Sequence, residues 1–511
     1  MRGSPISASG GWRSPPRAGG RRSGSGWRRP PPAPPAAAAG AWSGGPRRGS
    51  NAPVCAWTGI APGAASGWRP PSAFRKSPDE GALPAAFPGS LVPLCSQGVV
   101  LTEFFHVITA DRFLELLGRF PRLAGETIPL DDALGRVLSR DLACPEDLPE
   151  GARSTVDGYA VRARETFGAS DSLPALLSLA PPVVMGELPR FRLGAGEAAP
   201  IPTGGFLPPG ADAVVMVEYT NAAEAGSIEV TRPVTQRTNV LEKGEDARSG
   251  ETLLEAGKEL RPQELGFLAA LGVTEVPVYG RPRVGVISSG DEIVPMERKP
   301  RPGQVRDANG HAISALVRDS GGLPALFDIV PDEARRLDRT LGDALAGADV
   351  VVLSGGSSVG ARDLMMETVS RLPEVEILAH GIAIRPGKPT LLALQKGKAI
   401  VGLPGHPVSA LVIAQIFLAP FLRYLQGARL VKGPAGHRLQ AELSTGVHST
   451  IGLEEYVRVR LERSDGGTTV AHPVFGKSGM LSTMVRADGI LQIPMNAEGI
   501  PRGALVEVTQ Y

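Results

Sequence analysis

The chain has 511 residues, which is enough for three or four domains, and its formal net charge at pH 7 is +2. That total hides an uneven distribution, because residues 1–99 contain 12 basic and 2 acidic side chains, a net of +10, and the remainder contains 42 basic and 50 acidic ones, a net of −8. An acidic body argues against a nucleic-acid partner, and three cysteines without metal-ligand spacing (Cys55, Cys95 and Cys144) predict no disulfide framework and favour a cytoplasmic location.

Residues 1–99 are a low-complexity sequence of Pro, Gly, Ala, Ser and Arg with few aliphatic side chains, which predicts a disordered or mis-annotated extension. A nucleic-acid-binding tail and a transit peptide are two interpretations. We favour a third, upstream sequence translated by mistake, because Arg, Ala, Gly and Pro all have GC-rich codons. The true start would then lie near Val99, Val100 or Leu101, and an intact mass of the native protein that includes residues 1–98 would contradict this.

Two segments with helical or mixed patterns flank a β-rich one. Residues 100–153 and 260–281 together predict an elongated helical and mixed domain I, with helices expected within 104–120 and 261–271. Short β runs between Gly and Pro predict a small β domain II, residues 154–259, inserted into domain I.

From residue 281 strands and helices alternate, which predicts a doubly wound α/β domain III with a largely parallel sheet, residues 282–427. Strands are expected at 284–287, 325–330, 349–353 and 390–394, and helices at 308–319, 332–345 and 363–372. The apolar stretch 410–422 is interrupted by Gln415 and Pro420, so it predicts a buried helix and no membrane span. Alternating apolar residues predict a C-terminal β domain IV, residues 428–511.

The segment after the strand at 349–353 is rich in glycine and serine. Its sequence is Ser354-Gly355-Gly356-Ser357-Ser358-Val359-Gly360. A strand, a glycine turn and a helix together form a common anion site, because backbone N–H groups converge there and a phosphate can approach closely. The alternative is a plain strand-to-helix turn in which the glycines only permit positive φ.

Ligands of open α/β sheets bind beyond the carboxyl ends of the strands. We expect those ends to bring together Asp291, Glu292, Asp332, residues 354–363, Arg385, Lys388 and residues 404–407. Carboxylates beside a phosphate suit Mg²⁺, and the two cations suit a second oxyanion. Taken singly, each carboxylate has a simpler interpretation as a helix cap or a solvated side chain, above all Asp332 and Asp363 in their expected first helical turns.

The chain also contains, in order, eight motifs of a known family, at 154–160, 202–204, 244–246, 289–292, 354–360, 386–389, 402–409 and 479–489. Over residues 101–511 it resembles the molybdopterin molybdenumtransferases, the MoeA family, which is related to the E domain of gephyrin. The resemblance implies four domains, a homodimer, and Mg²⁺-dependent insertion of molybdate into adenylylated molybdopterin with release of AMP. It further implies an active site between domain III of one subunit and domain II of the other.

The resemblance also assigns residues. It implies catalytic roles for Asp157, Glu292, Asp363, Arg385 and Lys388, and Mg²⁺ binding by Glu292, Asp332 and Asp363. It implies substrate binding by Thr203, Asp246, Ser354, Gly355, Gly356, Ser357, Ser358, Gly360, Pro404 and Pro407. On this interpretation the glycine turn holds the pterin's phosphate, the two cations neutralise molybdate, and the substrate's dithiolene sulfurs attack molybdenum.

Three positions depart from the family pattern. Leu241 and Glu242 precede Lys243 where an arginine is frequent, Ser289 stands where threonine is common, and His406 stands where asparagine is frequent. Three other functions stay open: tungstate insertion, a gephyrin-like scaffold, and the molybdopterin adenylyltransferase of the same pathway. We rank the adenylyltransferase low as this chain's own function, because it would not need the two β domains, and expect it instead as a pathway neighbour.

Overall fold

A computed structural model of the chain describes residues 107–511, apart from 225, 356–358, 435 and 465–466, and without the side chains of 359–363. The chain divides into two units, residues 1–96 and 97–511, and the description below concerns the second. The prediction made for residues 1–99 lies outside the described residues.

The first part of the described chain contains a six-stranded sheet flanked by smaller elements. In chain order the elements are α1 (Ala110–Leu117), β1 (Gly125–Pro129), β2 (Leu142–Ala143), β3 (Arg153–Ser154), β4 (Gly158–Val161), β5 (Ala175–Leu179), β6 (Glu197–Ile201), β7 (Ala213–Met216), β8 (Thr220–Ala222), β9 (Ser227–Val230), β10 (Val240–Leu241), β11 (Thr252–Leu254), α2 (Pro262–Ala270) and β12 (Glu275–Tyr279). Strands β4 to β9 form the sheet, in the order β7-β4-β6-β5-β9-β8. On either side of it in sequence, β1 pairs with β12 and β2 pairs with β11, both antiparallel.

The next part is an α/β domain. Its elements are β13 (Arg283–Ser288), β14 (Ile293–Val294), β15 (Val305–Arg306), α3 (Asn309–Asp319), β16 (Leu323–Leu326), α4 (Ala334–Gly347), β17 (Val350–Ser354), α5 (Val359–Ser370), β18 (Val375–His380), β19 (Ile384–Arg385), β20 (Leu391–Gln395), β21 (Lys398–Leu403), α6 (Pro407–Ile413) and α7 (Ala419–Leu425), with a π-helical turn, Ala414–Leu418, between the last two. The sheet order is β16-β13-β17-β21-β20-β18. Only β20 runs against its neighbours, so the sheet is mixed.

Side-chain alternation along the buried strands explains why helices cover both faces of this sheet. Val350 and Val352 pack into one core with helices α1, α3, α6 and α7, whereas Val351 and Leu353 pack into a second core with α4. Each fully buried Val or Leu contributes about 1.5–3 kcal/mol relative to exposure. A strand that is apolar on both faces can be satisfied only by this layered arrangement.

The observed boundaries of one strand and one helix differ from those predicted from the sequence. The strand expected at 325–330 is Leu323–Leu326, and the helix expected from 332 begins at Ala334. Asp332 therefore precedes helix α4 and its N-cap Glu333, instead of lying in the first turn. Regular pairing of β16 stops at Leu326, and beyond it the expected strand continues only as an isolated parallel bridge between Val330 and Ser289.

The expected buried helix at 410–422 is confirmed as part of the helical segment 407–425. Pro407 occupies its first turn with His406 as N-cap, as Pro favours. Phe417 and Phe421 contact Phe113 and Phe120 edge-on, with ring centroids 4.9 and 5.2 Å apart. By length and composition this segment, among the described residues, could cross a membrane, but most of it is buried inside the domain, as in a core helix of a folded protein.

The C-terminal region is a small barrel. Its elements are β22 (Arg438–Leu443), β23 (Val447–His448), β24 (Glu454–Arg463), β25 (Thr469–Pro473), α8 (Ser482–Val485), β26 (Gly489–Ile493), β27 (Gly499–Ile500) and β28 (Leu505–Gln510). The order β24-β25-β22-β28-β26 closes because β26 pairs back onto β24. Strand β19 of the preceding region adds to β24 in parallel, so the barrel is tied to the α/β domain.

Candidate functional site

A cavity of about 420 Å³ lies at the carboxyl edge of the α/β sheet. We call it the sheet-edge cavity. Five residues predicted from the sequence line it, Glu292, Gly355, Gly405, His406 and Pro407. Asp307 and Asn309 line it as well, and the sequence did not single them out. The strand ends therefore meet at one place, as parallel strands require.

Asn309 holds two walls of this cavity together. Its side-chain amide nitrogen donates hydrogen bonds to Ser354 Oγ at 2.6 Å and to the Gly405 carbonyl at 2.9 Å. Asn309 is nearly buried, so these bonds are shielded from water. The end of β17 and the loop before α6 are thereby fixed relative to each other.

Glu292 of the sheet-edge cavity lies close enough to Asp332 and Asp291 for their charges to interact, although the three side chains do not converge on one point. The Asp332 backbone N–H donates to Asp291 Oδ1 at 3.2 Å. Burial raises the pKa of the Asp332 carboxyl above its usual range, and the nearby charges of Asp291 and Glu292 raise it further. Asp332 Oδ1 is buried and has no hydrogen-bond partner in the described part of the chain.

This donor set fits Mg²⁺, the metal that the resemblance implies. An oxygen atom buried without a partner, beside further carboxylates, is the chemistry that a hard cation offsets. Nowhere in the described residues do three or more His, Cys, Asp or Glu side chains converge to hold a metal. Mg²⁺ commonly takes one or two carboxylates and completes its shell with water and substrate phosphate. Glu292 and Asp332 would thus hold it only together with a phosphorylated substrate.

Part of the expected glycine turn lies outside the described residues. This applies to Gly356, Ser357 and Ser358, and to the side chain of Asp363. Gly360 and Asp363 belong to the backbone of α5, Val359–Ser370. Their expected roles stay predictions, whereas Ser354 is seen as a buried residue at the end of β17.

Arg385 and Lys388 lie in the segment that follows the carboxyl end of β18, so they are at the predicted edge of the sheet, but they line a different cavity. Residues Ile384–Arg385 also pair with Glu454 and Glu455 of the barrel strand β24. Both cations line a second cavity, of about 730 Å³, which we call the cationic cavity. Arg385 Nη1 lies 3.6 Å from Glu455 Oε2, and both Arg385 and Lys388 are exposed.

The cationic cavity contains a third cation that sequence reasoning missed. Arg458 lines it and is only 8% exposed. Burial lowers the pKa of its guanidinium, its Nε has no partner among the described residues, and its Nη2 donates only long bonds of 3.4 Å to the Val474 and Gly476 carbonyls. The sequence offered no distinguishing signal, because Arg458 and Arg460 alternate with apolar residues as solvent-facing side chains of a strand would.

The two cavities meet at the start of helix α6. Pro407 lines the sheet-edge cavity and Ser409 lines the cationic cavity. Between them, Ser478 from the barrel region accepts the Val408 N–H on its carbonyl at 3.0 Å, and its hydroxyl lies 3.1 Å from His406 Nδ1. His406 is therefore both the N-cap residue of α6 and a contact between domains.

The β-domain residues form a separate group. Asp157 Oδ1 accepts hydrogen bonds from the Thr203 N–H at 2.7 Å and the Thr203 hydroxyl at 3.0 Å, and these bonds lower the pKa of Asp157. Asp246 is exposed, and its N–H donates to the Leu148 carbonyl at 3.0 Å. Lys243 lies 3.3 Å from Asp147 Oδ2. Among the described residues, no hydrogen bond or ion pair joins Asp157, Thr203 or Asp246 to either cavity.

An α/β domain with a cavity at its sheet edge, an inserted β sheet and a closed barrel together define a multidomain protein with a candidate ligand site at the edge of the α/β sheet. Three family models match the chain: the MoeA N-terminal region (domains I and II) over residues 108–272, a probable molybdopterin-binding domain over 285–424, and the MoeA C-terminal region (domain IV) over 440–511.

Relatives of this chain carry names that agree with these family models. A molybdopterin molybdenumtransferase from Nostoc sp. is 34% identical over 75% of this chain and 88% of its own length, and molybdopterin molybdenumtransferase 2 from Mycobacterium tuberculosis is 33% identical over 75% and 94%. A solved molybdopterin biosynthesis MoeA protein from Pyrococcus horikoshii is 30% identical, with a TM-score of 0.69 over 79% of this chain and 100% of that one. The chain belongs to the molybdopterin molybdenumtransferase (MoeA) family, transferases of molybdenum cofactor biosynthesis.

Proposed function

We propose that the protein inserts molybdate into adenylylated molybdopterin in an Mg²⁺-dependent reaction that gives the molybdenum cofactor and AMP. The observation that supports this most strongly is the pair of adjoining cavities of opposite character. One is lined by Gly355 and carboxylates, which suit a phosphorylated substrate with a divalent cation. The other has Arg385, Lys388 and Arg458, which suit a small oxyanion.

The cationic cavity would bind molybdate. Its two exposed cations can attract the dianion from solution, and the buried Arg458 offers N–H donors that lack strong partners in the protein. Charge stabilisation by donors that are already in place requires no reorganisation during the reaction. The dithiolene sulfurs of the substrate would then attack molybdenum, without a protein nucleophile.

The sheet-edge cavity would bind the adenylylated pterin. Ser354, Gly355, Pro404 and Pro407 would surround its phosphate, held by the Asn309 bridge. Glu292, Asp332 and Asp363 would hold Mg²⁺, which when bound neutralises charge on the phosphoanhydride. The protein's own contribution is to position the dithiolene beside the cationic cavity and to stabilise charge.

We also propose that the working unit is a cytoplasmic homodimer. Asp157, Thr203 and Asp246 do not join either cavity by a hydrogen bond or ion pair within the described part of one chain, so the β domain of a second subunit would complete the site. A molybdopterin adenylyltransferase would supply the substrate, because the adenylyl group must be attached before it can leave as AMP.

The direct test is to incubate the purified protein with adenylylated molybdopterin, molybdate and Mg²⁺. We expect AMP release that Glu292→Ala and Asp363→Ala each reduce severely. AMP release that neither substitution changes would refute the assignment. Equal supply of molybdate and tungstate, followed by metal analysis of the product, identifies the preferred oxyanion.

A further inference from the structure

One wall of the sheet-edge cavity presents hydrogen-bond acceptors. The Gly405 carbonyl can only accept, so the Asn309 amide nitrogen must face it, and the Asn309 Oδ1 faces the other way. That oxygen has no hydrogen-bond partner among the described residues. Asn309 lines the cavity and is 9% exposed, so Oδ1 is the atom that it offers to a ligand.

Asp307 lies two residues earlier on the same wall. Its Oδ1 accepts the Gly310 N–H at 2.9 Å, as a cap of helix α3, and its Oδ2 has no hydrogen-bond partner in the described chain. Asp307 is 7% exposed, and within the described residues it takes part in no ion pair. The neighbouring Ser288 hydroxyl is fully buried and also lacks a partner.

A buried carboxylate without a cation is costly, and a ligand with N–H donors would reduce that cost. Arg306 is next in sequence, but its Nε donates to the Arg298 carbonyl at 3.1 Å. Ile293 and Leu481 line other parts of the cavity, so apolar surface is available to a heterocycle. The cavity is therefore suited to a ring that has several donors on one edge.

The adenylylated substrate has two heterocycles, and their edges differ. A pterin presents its 2-amino group and N3–H side by side, which is a pair of donors that one carboxylate can accept together. Adenine presents one amino group beside N1, a lone-pair acceptor that a carboxylate repels. We propose that Asp307, with Asn309 beside it, is the specificity-determining residue that recognises the pyrimidine edge of the pterin and rejects adenine at this position. This inference rests on the proposed function.

The test measures binding by the whole protein. The probes are 6-hydroxymethylpterin, followed by its own fluorescence, its analogue without the 2-amino group, and AMP. We expect wild-type protein to prefer the pterin over the deaminated analogue by about tenfold to a hundredfold, because a site built for a donor rejects a ligand that lacks it. Asp307→Asn, which keeps the shape and the cap to Gly310, should lose that preference and leave AMP affinity within twofold.

The matched control is Asp319→Asn, at the opposite end of the same helix, which should behave as wild type. Equal weakening of pterin and AMP by Asp307→Asn, or no change in either, would overturn the proposal. A loss confined to Mg²⁺ affinity would also overturn it, since Asp307 would then be a metal ligand. Turnover separates this inference from the proposed function. AMP release with an unchanged KM in Asp307→Asn refutes only the inference. Pterin discrimination by a wild-type protein that shows no turnover refutes only the proposed function.

Discussion

Side chains with unused hydrogen-bonding capacity mark both cavities. Arg458 in one and Asp307 in the other are buried, charged and only partly satisfied by the protein. Folded proteins seldom leave such groups without a partner unless a ligand uses them. The reason is that each buried polar group without a hydrogen bond costs about 1–3 kcal/mol or more. At the residue scale, then, buried groups without partners lower the stability of the folded protein at the two cavities where its substrates are proposed to bind.

The role of Arg458 can be tested with a neighbour on the same strand. Arg458→Gln should raise the KM for molybdate by roughly tenfold to a hundredfold, because a charge-assisted hydrogen bond contributes about 1.5–3 kcal/mol. Steady-state AMP release against molybdate concentration measures this. Arg460→Gln is the control, because Arg460 is exposed and its Nη2 bonds Glu462 at 2.8 Å. A similar KM for both variants would contradict the assignment.

The Asp157 carboxylate gives a prediction for pH. Hydrogen bonds from Thr203 hold its pKa below the ordinary 3.8, so they stabilise the folded state above that pH and lose this effect as the pH falls through the folded pKa. Thr203→Val removes one of the two donors. The loss in free energy of unfolding that this substitution causes should be largest at pH 7 and should shrink below about pH 4.

Thermal unfolding of wild type and Thr203→Val from pH 7 to pH 3 provides the measurement. Thr220→Val is the control, since the Thr220 hydroxyl donates to the Val217 carbonyl at 2.9 Å and no charge is involved. If the Thr203→Val deficit did not change with pH, the hydroxyl would not be acting on the Asp157 charge.

At the scale of elements, the start of helix α3 fixes the acceptor wall. Gly310 lies so close to Asp307 Oδ2 that an added Cβ would collide with it, and Leu326 Cδ1 would be 2.9 Å away. Gly310→Ala should therefore destabilise the protein by about 1–3 kcal/mol, as overpacking does. Chemical denaturation measures the change.

Gly342→Ala in helix α4 is the matched control. Nothing lies within 4 Å of a Cβ there, so the same substitution should stabilise by about 0.5–1 kcal/mol through helix propensity. Opposite signs at the two glycines are expected. A stabilising Gly310→Ala would show that the helix start is less tightly packed than described.

The elements also show which features of the structure can be predicted from the sequence. Strand β17 and helix α6 are predictable because their apolar runs and Pro407 act locally. The contact of Arg385 with the barrel is not predictable, because the pairing of Ile384–Arg385 with β24 joins segments far apart in sequence. Arg458 and Asn309 cannot be predicted as site residues for the same reason. Their partners, Gly476 and Gly405, come from other elements, and no local pattern specifies those contacts.

At the scale of the whole molecule, the barrel is anchored to the first helix. Lys432 Nζ lies 2.6 Å from Asp111 Oδ1 of α1 and 3.1 Å from Glu454 Oε2 of β24, and Glu454 is buried. Together with the β19–β24 pairing, this fixes the cationic cavity relative to the α/β sheet. Contacts within one chain therefore join the two cavities, whereas among the described residues no hydrogen bond or ion pair joins Asp157 to either of them.

A composite site between subunits predicts complementation. Asp157→Ala and Glu292→Ala proteins should each be nearly inactive, but subunits mixed and exchanged should recover about a quarter of wild-type activity, because half of the dimers are mixed and each has one intact site. AMP release after co-refolding or subunit exchange measures it. No recovery, with mixed dimers demonstrated by mass, would place the whole site within one chain.

The central claim is that molybdate insertion and AMP release are one coupled event. The most direct measurement is a single-turnover assay with wild-type protein, adenylylated molybdopterin and Mg²⁺, in which AMP and pterin-bound molybdenum are quantified as molybdate is varied. The account predicts that both rise together with one AMP per molybdenum, and that neither forms without molybdate. AMP released at the same rate in the absence of molybdate, or molybdenum inserted without AMP release, would contradict it.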